Sequence, residues 1–277
     1  MSIIDRLVYS TSLGAMLQRR LRRLYHAIRP PAYRTSIEFG EVERPHYGMC
    51  LLDAAETASR LGLKALTAIE FGVAGGNGLI ALEGHAARVS EIYNIDVQIY
   101  GFDIATGLPE SSDYRDMVYN WAPGSFQMDQ AALQRRLQRT KLIIGDVKST
   151  AGVFYQTYDP APVGCIFFDL DFYSSTKAAF EIFEGNERYF LPRVQCYFDD
   201  VNLTNEFLGE LCAISEFNAE HADKKIRRRY NFGTRLYEKW SPWLMYGNRM
   251  FEYHHFKHSR YNDQLGSVQQ RPLYENQ

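Results

Sequence analysis

The sequence lacks the features that mark several large classes of protein. Its four cysteines, Cys50, Cys165, Cys196 and Cys212, form no Cys-x-x-Cys pair, which argues against a zinc knuckle or a dithiol redox centre. No stretch approaches the roughly 18 apolar residues that a membrane-spanning helix needs. Neither sign of charge is in excess: 31 Lys and Arg stand against 33 Asp and Glu. That balance gives no global case for nucleic acid or an anionic membrane as partner. Internal repeats and low-complexity tracts are missing, and the N-terminal residues are not expected to be a secretory signal. Asp5 and Arg6 interrupt the first apolar residues, and Arg19-Arg20-Leu21-Arg22-Arg23 follows them. Cys165 and Cys196 fall inside expected strands, where a free thiol behaves as a small buried hydrophobe. Unpaired cysteines place the chain, by expectation, in a reducing compartment, the cytoplasm.

What is present divides the 277 residues into three parts. Residues 1–31 carry Ile3, Ile4, Leu7, Leu13, Leu17, Leu21 and Leu24 at roughly helical spacing with arginines opposite. This amphipathic helical extension is expected to cover the domain's own core or pack on a second copy, giving a homo-oligomer; a membrane surface is the alternative. Pro30-Pro31 ends it. Residues 32–257 form the main domain, and 258–277 read as a loose polar tail. From residue 49 onward, short apolar runs (Leu66–Phe71, Val97–Phe102, Leu142–Ile144, Cys165–Phe168 and Cys196–Phe198) alternate with amphipathic stretches. This alternation predicts an α/β fold, a doubly wound and mostly parallel sheet with helices on both faces. Residues 224–237 and 249–257 are expected to add an antiparallel pair, with the basic run Lys224–Arg229 on an exposed edge.

Ligands on such sheets bind beyond the C-terminal strand ends, and the polar residues concentrate there. The first strand runs into Glu70-Phe71-Gly72-Val73-Ala74-Gly75-Gly76-Asn77-Gly78 and a helix. Such a turn suits a dinucleotide, a nucleoside or merely a tight bend, and its spacing is not Gly-x-Gly-x-x-Gly, which counts against NAD. Glu70 would suit an ammonium or hydroxyl. Asp103, at the second strand end, can accept the hydroxyls of a ribose, and Asp146, at the third, the exocyclic amine of adenine. The fourth and fifth strands end in Asp169-Leu170-Asp171 and Asp199-Asp200. Like charges so crowded call for protonation or a cation, and oxygen-only donors favour a hard ion such as Mg²⁺ or Ca²⁺. Ser174, Ser175 and Thr176 are expected to cap the following helix, which leaves the acids free for chemistry. His46 is read as a loop histidine with a structural hydrogen bond, the alternative being a contact to cofactor or substrate. Residues 104–127, with Trp121 and Phe126, read as a cover for the site or as surface packing, and Trp240, Trp243 and Tyr246 as acceptor-side or core rings.

In order, Glu70-Phe71-Gly72-Val73 with Gly75-Gly76, Asp103 with Gly107-Leu108-Pro109, Asp169-Leu170-Asp171 with Tyr173, Ser175 and Thr176, and Asp199-Asp200 resemble the macrocin O-methyltransferase family. The similarity spans roughly residues 68–201. It implies a Rossmann-like class I methyltransferase fold with a seven-stranded sheet, and S-adenosylmethionine as the donor. By the same resemblance Gly72 and Gly75 line the methionine end, Asp103 holds the ribose, and Asp169, Asp199 and Asp200 bind Mg²⁺. The acceptor it implies is a hydroxyl of a sugar, glycan or natural product. Asp171, two residues from a ligand, is the candidate general base. Two departures stand out: the gap from Asp169 to Asp199 is a few residues longer than in the family, and Leu191-Pro192-Arg193 replaces a Gly-Gly turn. Competing readings are a glycosyltransferase using Asp169-x-Asp171 to hold a nucleotide-sugar, a nicotinamide oxidoreductase, and a non-catalytic cofactor-binding scaffold.

Overall fold

The structure is a computed structural model that describes residues 32–229 and 246–263. The expected helix within 1–31, and Trp240 and Trp243, lie outside the described residues. The seven strands are β1 (Ala65–Phe71), β2 (Asp96–Asp103), β3 (Thr140–Ile144), β4 (Val163–Phe168), β5 (Phe190–Phe198), β6 (Lys224–Arg228) and β7 (Met250–His255). They lie in one sheet in the order β3-β2-β1-β4-β5-β7-β6. β1 to β5 are parallel, while β7 runs antiparallel to both β5 and β6. The basic strand β6 is the sheet's edge, as its charge pattern predicts.

Side chains alternate along each strand and so build two cores. Ile69, Phe71, Phe102, Ile166, Phe168 and Phe198 face one side, where they meet Phe154, Phe180, Phe183 and Phe217. Leu66, Ala68, Ile99, Cys165, Phe167 and Tyr197 face the other. The α-helices among the described residues are α1 (Tyr33–Glu38), α2 (Pro45–Arg60), α3 (Asn77–Tyr93), α4 (Gln130–Arg136), α5 (Val147–Thr150), α6 (Phe154–Tyr158), α7 (Tyr173–Ala179) and α8 (Gly209–Glu220), and α2 and α3 cover that second face. Pro45 opens α2 at its first turn, where its missing N–H costs nothing. Tyr47 then stacks on Phe167 with centroids 3.9 Å apart. All four cysteines are free and buried, as apolar filler should be.

Two sequence expectations change. Leu191-Pro192-Arg193 is not a turn before β5 but lies inside it. The β4–β5 register jumps there, from Val163↔Phe190 to Cys165↔Gln195, and is regular from that pair to Phe168↔Phe198. The extra residues are absorbed as a bulge, and Asp199 arrives beside Asp169. Residues 258–263 are not a loose tail. His258 is buried and bonds the Phe190 carbonyl at 3.2 Å, and Arg260 donates to the Leu61 carbonyl at 3.0 Å. Packing therefore continues to Asp263.

Candidate functional site

The strand order reverses between β1 and β4, where connections leave in opposite directions and open a crevice. A cavity of about 300 Å³ lies there. Its floor is built from strand ends. Gly72 has φ +82°, and a Cβ on it would sit 1.7 Å from the Asp169 carbonyl oxygen; only glycine lets the ends of β1 and β4 close on each other. Gly72 and Ala74 reach the cavity wall, but Val73, Gly75, Gly76 and Asn77 do not. Val73 is in the core, Gly76 packs on Leu133, and Asn77 begins α3. The cradle is thus narrower than the sequence implied. Glu70 does not line the cavity either. It is buried beneath the start of α3, its Oε1 accepting from Tyr47 OH at 2.6 Å, and burial raises its pKa to about 8.

Asp103 and Asp146 both line the cavity and also hold the backbone. Asp103 Oδ2 accepts from the Val73 and Ala74 N–H groups at 2.8 and 2.9 Å, and Oδ1 from Ala105 N–H at 2.6 Å. A carboxylate has about four acceptor sites, so one remains, on Oδ1. Asp146 caps the short helix α5 (Val147–Thr150) through Lys148 N–H at 2.9 Å, using one oxygen. The roof comes from the excursion after β2, where Leu108, Pro109, Trp121 and Phe126 line the cavity.

At the other end the four acids gather. Asp169, Asp171, Asp199 and Asp200 all line the cavity. Burial, reinforced by the neighbouring carboxylates, lifts Asp169, Asp171 and Asp200 each to a pKa of about 7. Asp171 has φ +59°, and the Phe172 N–H reaches the Leu170 carbonyl at 2.5 Å across it. This is the rare, strained form of the γ-turn, and such strain persists where surrounding structure enforces it. Asp199 is neutralised locally: Arg249 donates to it at 2.7 Å and Tyr197 OH at 2.8 Å. Asp200 keeps a buried Oδ2 with no hydrogen-bond partner, while its N–H donates to the fully buried Glu210 at 2.9 Å. Among the described residues no three side chains converge as formed metal ligands do. The expected trio of Asp169, Asp199 and Asp200 therefore lines one cavity without converging as a formed ligand set, and Arg249 and Tyr197 both bond Asp199 Oδ1.

Two further expectations fail locally. His46 is not in a loop. It sits in the first turn of α2 with its ring 4.0 Å from that of Tyr246 and 4.3 Å from that of Tyr197, and neither nitrogen is bonded. Burial holds its pKa well below the ordinary value, so the ring is neutral. Nor do Ser174, Ser175 or Thr176 cap α7 (Tyr173–Ala179); Asp116, from the distant roof loop, accepts from Ser174 N–H instead. The sequence reading missed Tyr197, Arg249, Glu210 and Asp116. Only Tyr197 carried a signal, lying two strand residues before Asp199 and hence on its side of the sheet. Arg249 and Asp116 act on residues 50 and 58 positions away, and Glu210 reaches Asp200 N–H across ten residues of irregular chain.

No known protein-family model matches the chain, and no curated protein matches it in sequence. Among solved structures it is similar to CalS11, a calicheamicin methyltransferase, with 23% identity over 76% of this chain and 86% of that one, and a TM-score of 0.47. It is also similar to the O-methyltransferase NovP, with 16% identity over 65% and 75% of the two chains and a TM-score of 0.47. A third is the O-methyltransferase TomG from Streptomyces achromogenes, solved with S-adenosylmethionine, at 16% identity over 76% and 79% and a TM-score of 0.39. The strand order and antiparallel β7 are those of the Rossmann-like class I methyltransferase fold.

Proposed function

We propose that the chain is an S-adenosylmethionine-dependent, Mg²⁺-assisted O-methyltransferase acting on a hydroxyl of a sugar, glycan or other small molecule. The observation that carries this reading is one cavity with two chemically different ends. Acids suited to a nucleoside stand at the ends of β2 and β3, and oxygen-rich acids stand at the ends of β4 and β5. A nicotinamide or nucleotide-sugar site would leave one of those ends unexplained.

The fit at the nucleoside end follows from the free acceptor sites. The remaining site on Asp103 Oδ1 takes one ribose hydroxyl, and the oxygen of Asp146 not used in capping takes the adenine amine. Trp121, Phe126, Leu108 and Pro109 cover an aromatic base and keep water from it. At the acidic end the donors are all oxygen, three carry pKa values raised by burial and by one another, and Asp200 Oδ2 is buried and unpartnered. That donor set suits Mg²⁺. Asp169, Asp199 and Asp200 would hold it, with Asp199 releasing Arg249. A bound Mg²⁺ supplies Lewis acidity that eases ionisation of an acceptor hydroxyl. Asp171, buried on the same cavity wall two residues from Asp169, would receive the hydroxyl proton.

The test is calorimetric titration with S-adenosylmethionine, NAD⁺ and nucleotide-sugars, each with and without Mg²⁺. Micromolar binding of the first alone, weakened at least tenfold by Asp146→Ala, is the expected result. No binding of S-adenosylmethionine under either condition would refute the reading.

A further inference from the structure

We propose that Asp116 is a positioning residue: it clamps the roof of the cavity to the start of α7, so that roof and acidic floor are held as one unit. Nothing in Ser111-Ser112-Asp113-Tyr114-Arg115-Asp116 sets this aspartate apart in the sequence. In the structure it is fully buried, with Met117 beside it, on an excursion whose other residues are mostly exposed or half-buried. Its Oδ1 accepts from Ser174 N–H at 2.7 Å, and its Oδ2 from Ser174 OH at 2.8 Å and Ser111 OH at 2.5 Å. A buried carboxylate without a cation is tolerable only with several charge-assisted bonds of this kind, so the site is specified rather than incidental. The bonds do local work too, since Phe172, at the N-cap of α7, supplies no side-chain cap.

The adjacent residue strengthens the clamp. The Arg115 guanidinium lies 4.0 Å from the ring centroid of Tyr173, donates to Tyr173 OH at 2.9 Å, and bonds Glu216 on α8 (Gly209–Glu220) at 3.0 Å. Two consecutive roof residues thus grip Tyr173 and Ser174, which lie between Asp171 and Ser175 of the cavity wall. The excursion is also pinned at its base, where Leu108 N–H bonds the Ser125 carbonyl at 2.9 Å and Gly124 N–H bonds the Leu108 carbonyl at 2.8 Å. The roof residue Trp121 lies between these two anchors, and Phe126 directly follows the base. Without Asp116 the base and the Arg115 contacts would still hold, but the roof would lose its hydrogen bonds to the start of α7.

The clamp itself can be read without any ligand, by hydrogen exchange of the full-length protein. Asp116→Asn is expected to speed amide exchange within residues 107–126 at least tenfold while β1, β2 and β4 stay as in the wild type. Unchanged exchange in 107–126, or an equal rise throughout the sheet, would overturn the proposal; the second result would make Asp116 a general stability residue. Should Asp116→Asn fail to fold, Ser174→Ala carries the test, since it removes one of the three bonds from outside the loop and should give a smaller acceleration in the same segment. The effect on the methyl donor rests on the function proposed above. Asp116→Asn should weaken S-adenosylmethionine binding about tenfold and shift the acceptor KM less than threefold. Failure of the wild type to bind the donor would refute that function while leaving the exchange result to decide the clamp.

Discussion

Replacing Asp171 with Asn should make the ligand-free protein more stable at pH 8 while removing its activity. Asp171 is buried beside Asp169 and Asp199, and its pKa rises from an ordinary 3.8 to about 7. At about 1.4 kcal/mol per pK unit, that gap corresponds to roughly 4 kcal/mol against the ionised form. Part of it is repulsion shared with neighbours that can themselves take up protons, so about 2 kcal/mol is the expected gain. Asn tolerates the positive φ as Asp does, so the turn geometry adds little to the difference. The sign follows from linkage: the folded state binds this proton more tightly than the unfolded chain. The penalty is therefore absent below about pH 4, grows between pH 4 and 7, and is complete above 7. Guanidinium denaturation with a chelator present, at pH 4, 6 and 8, measures it. The mutant should match the wild type at pH 4 and exceed it by about 2 kcal/mol at pH 8, or roughly 4–8 °C in Tm. Turnover should fall by about 10²–10⁴. A mutant less stable than wild type at pH 8, or a gain independent of pH, would refute the reasoning.

Two other expectations are simpler. Gly72→Ala should cost about 3 kcal/mol, from a side chain forced into the left-handed region and a Cβ driven into the Asp169 carbonyl. Gly75→Ala, with open space around it, should cost no more than about 0.5 kcal/mol; equal effects in denaturation would show that the β1–β4 contact is not as described. Millimolar Mg²⁺ should raise Tm more at pH 8 than at pH 6, because metal and protons compete for the same carboxylates. Asp200→Asn should abolish that rise, and a shift that survives the substitution would place the ion elsewhere.

The alternation of apolar runs and amphipathic stretches was enough to read the parallel sheet, its antiparallel end and the basic edge strand. The reason is that burial on both faces leaves a period that no long-range knowledge is needed to see. Strand-end position likewise located Asp103, Asp146 and the four clustered acids, since ligands on this kind of sheet have one place to bind. What each acid does could not be read the same way. Asp103 spends three of its acceptor sites on the Val73, Ala74 and Ala105 backbone, which depends on how the glycine loop folds over β2. Asp199 is drawn to Arg249, fifty residues away, and α7 takes its cap from Asp116, nearly sixty residues upstream. Even the bulge that delivers Asp199 to Asp169 is a property of strand pairing rather than of spacing. Local periodicity, then, determined the sheet and the address of the site. Hydrogen-bond partnership across distant segments, which only the folded chain brings within 3 Å, decided which carboxylates remain free to act.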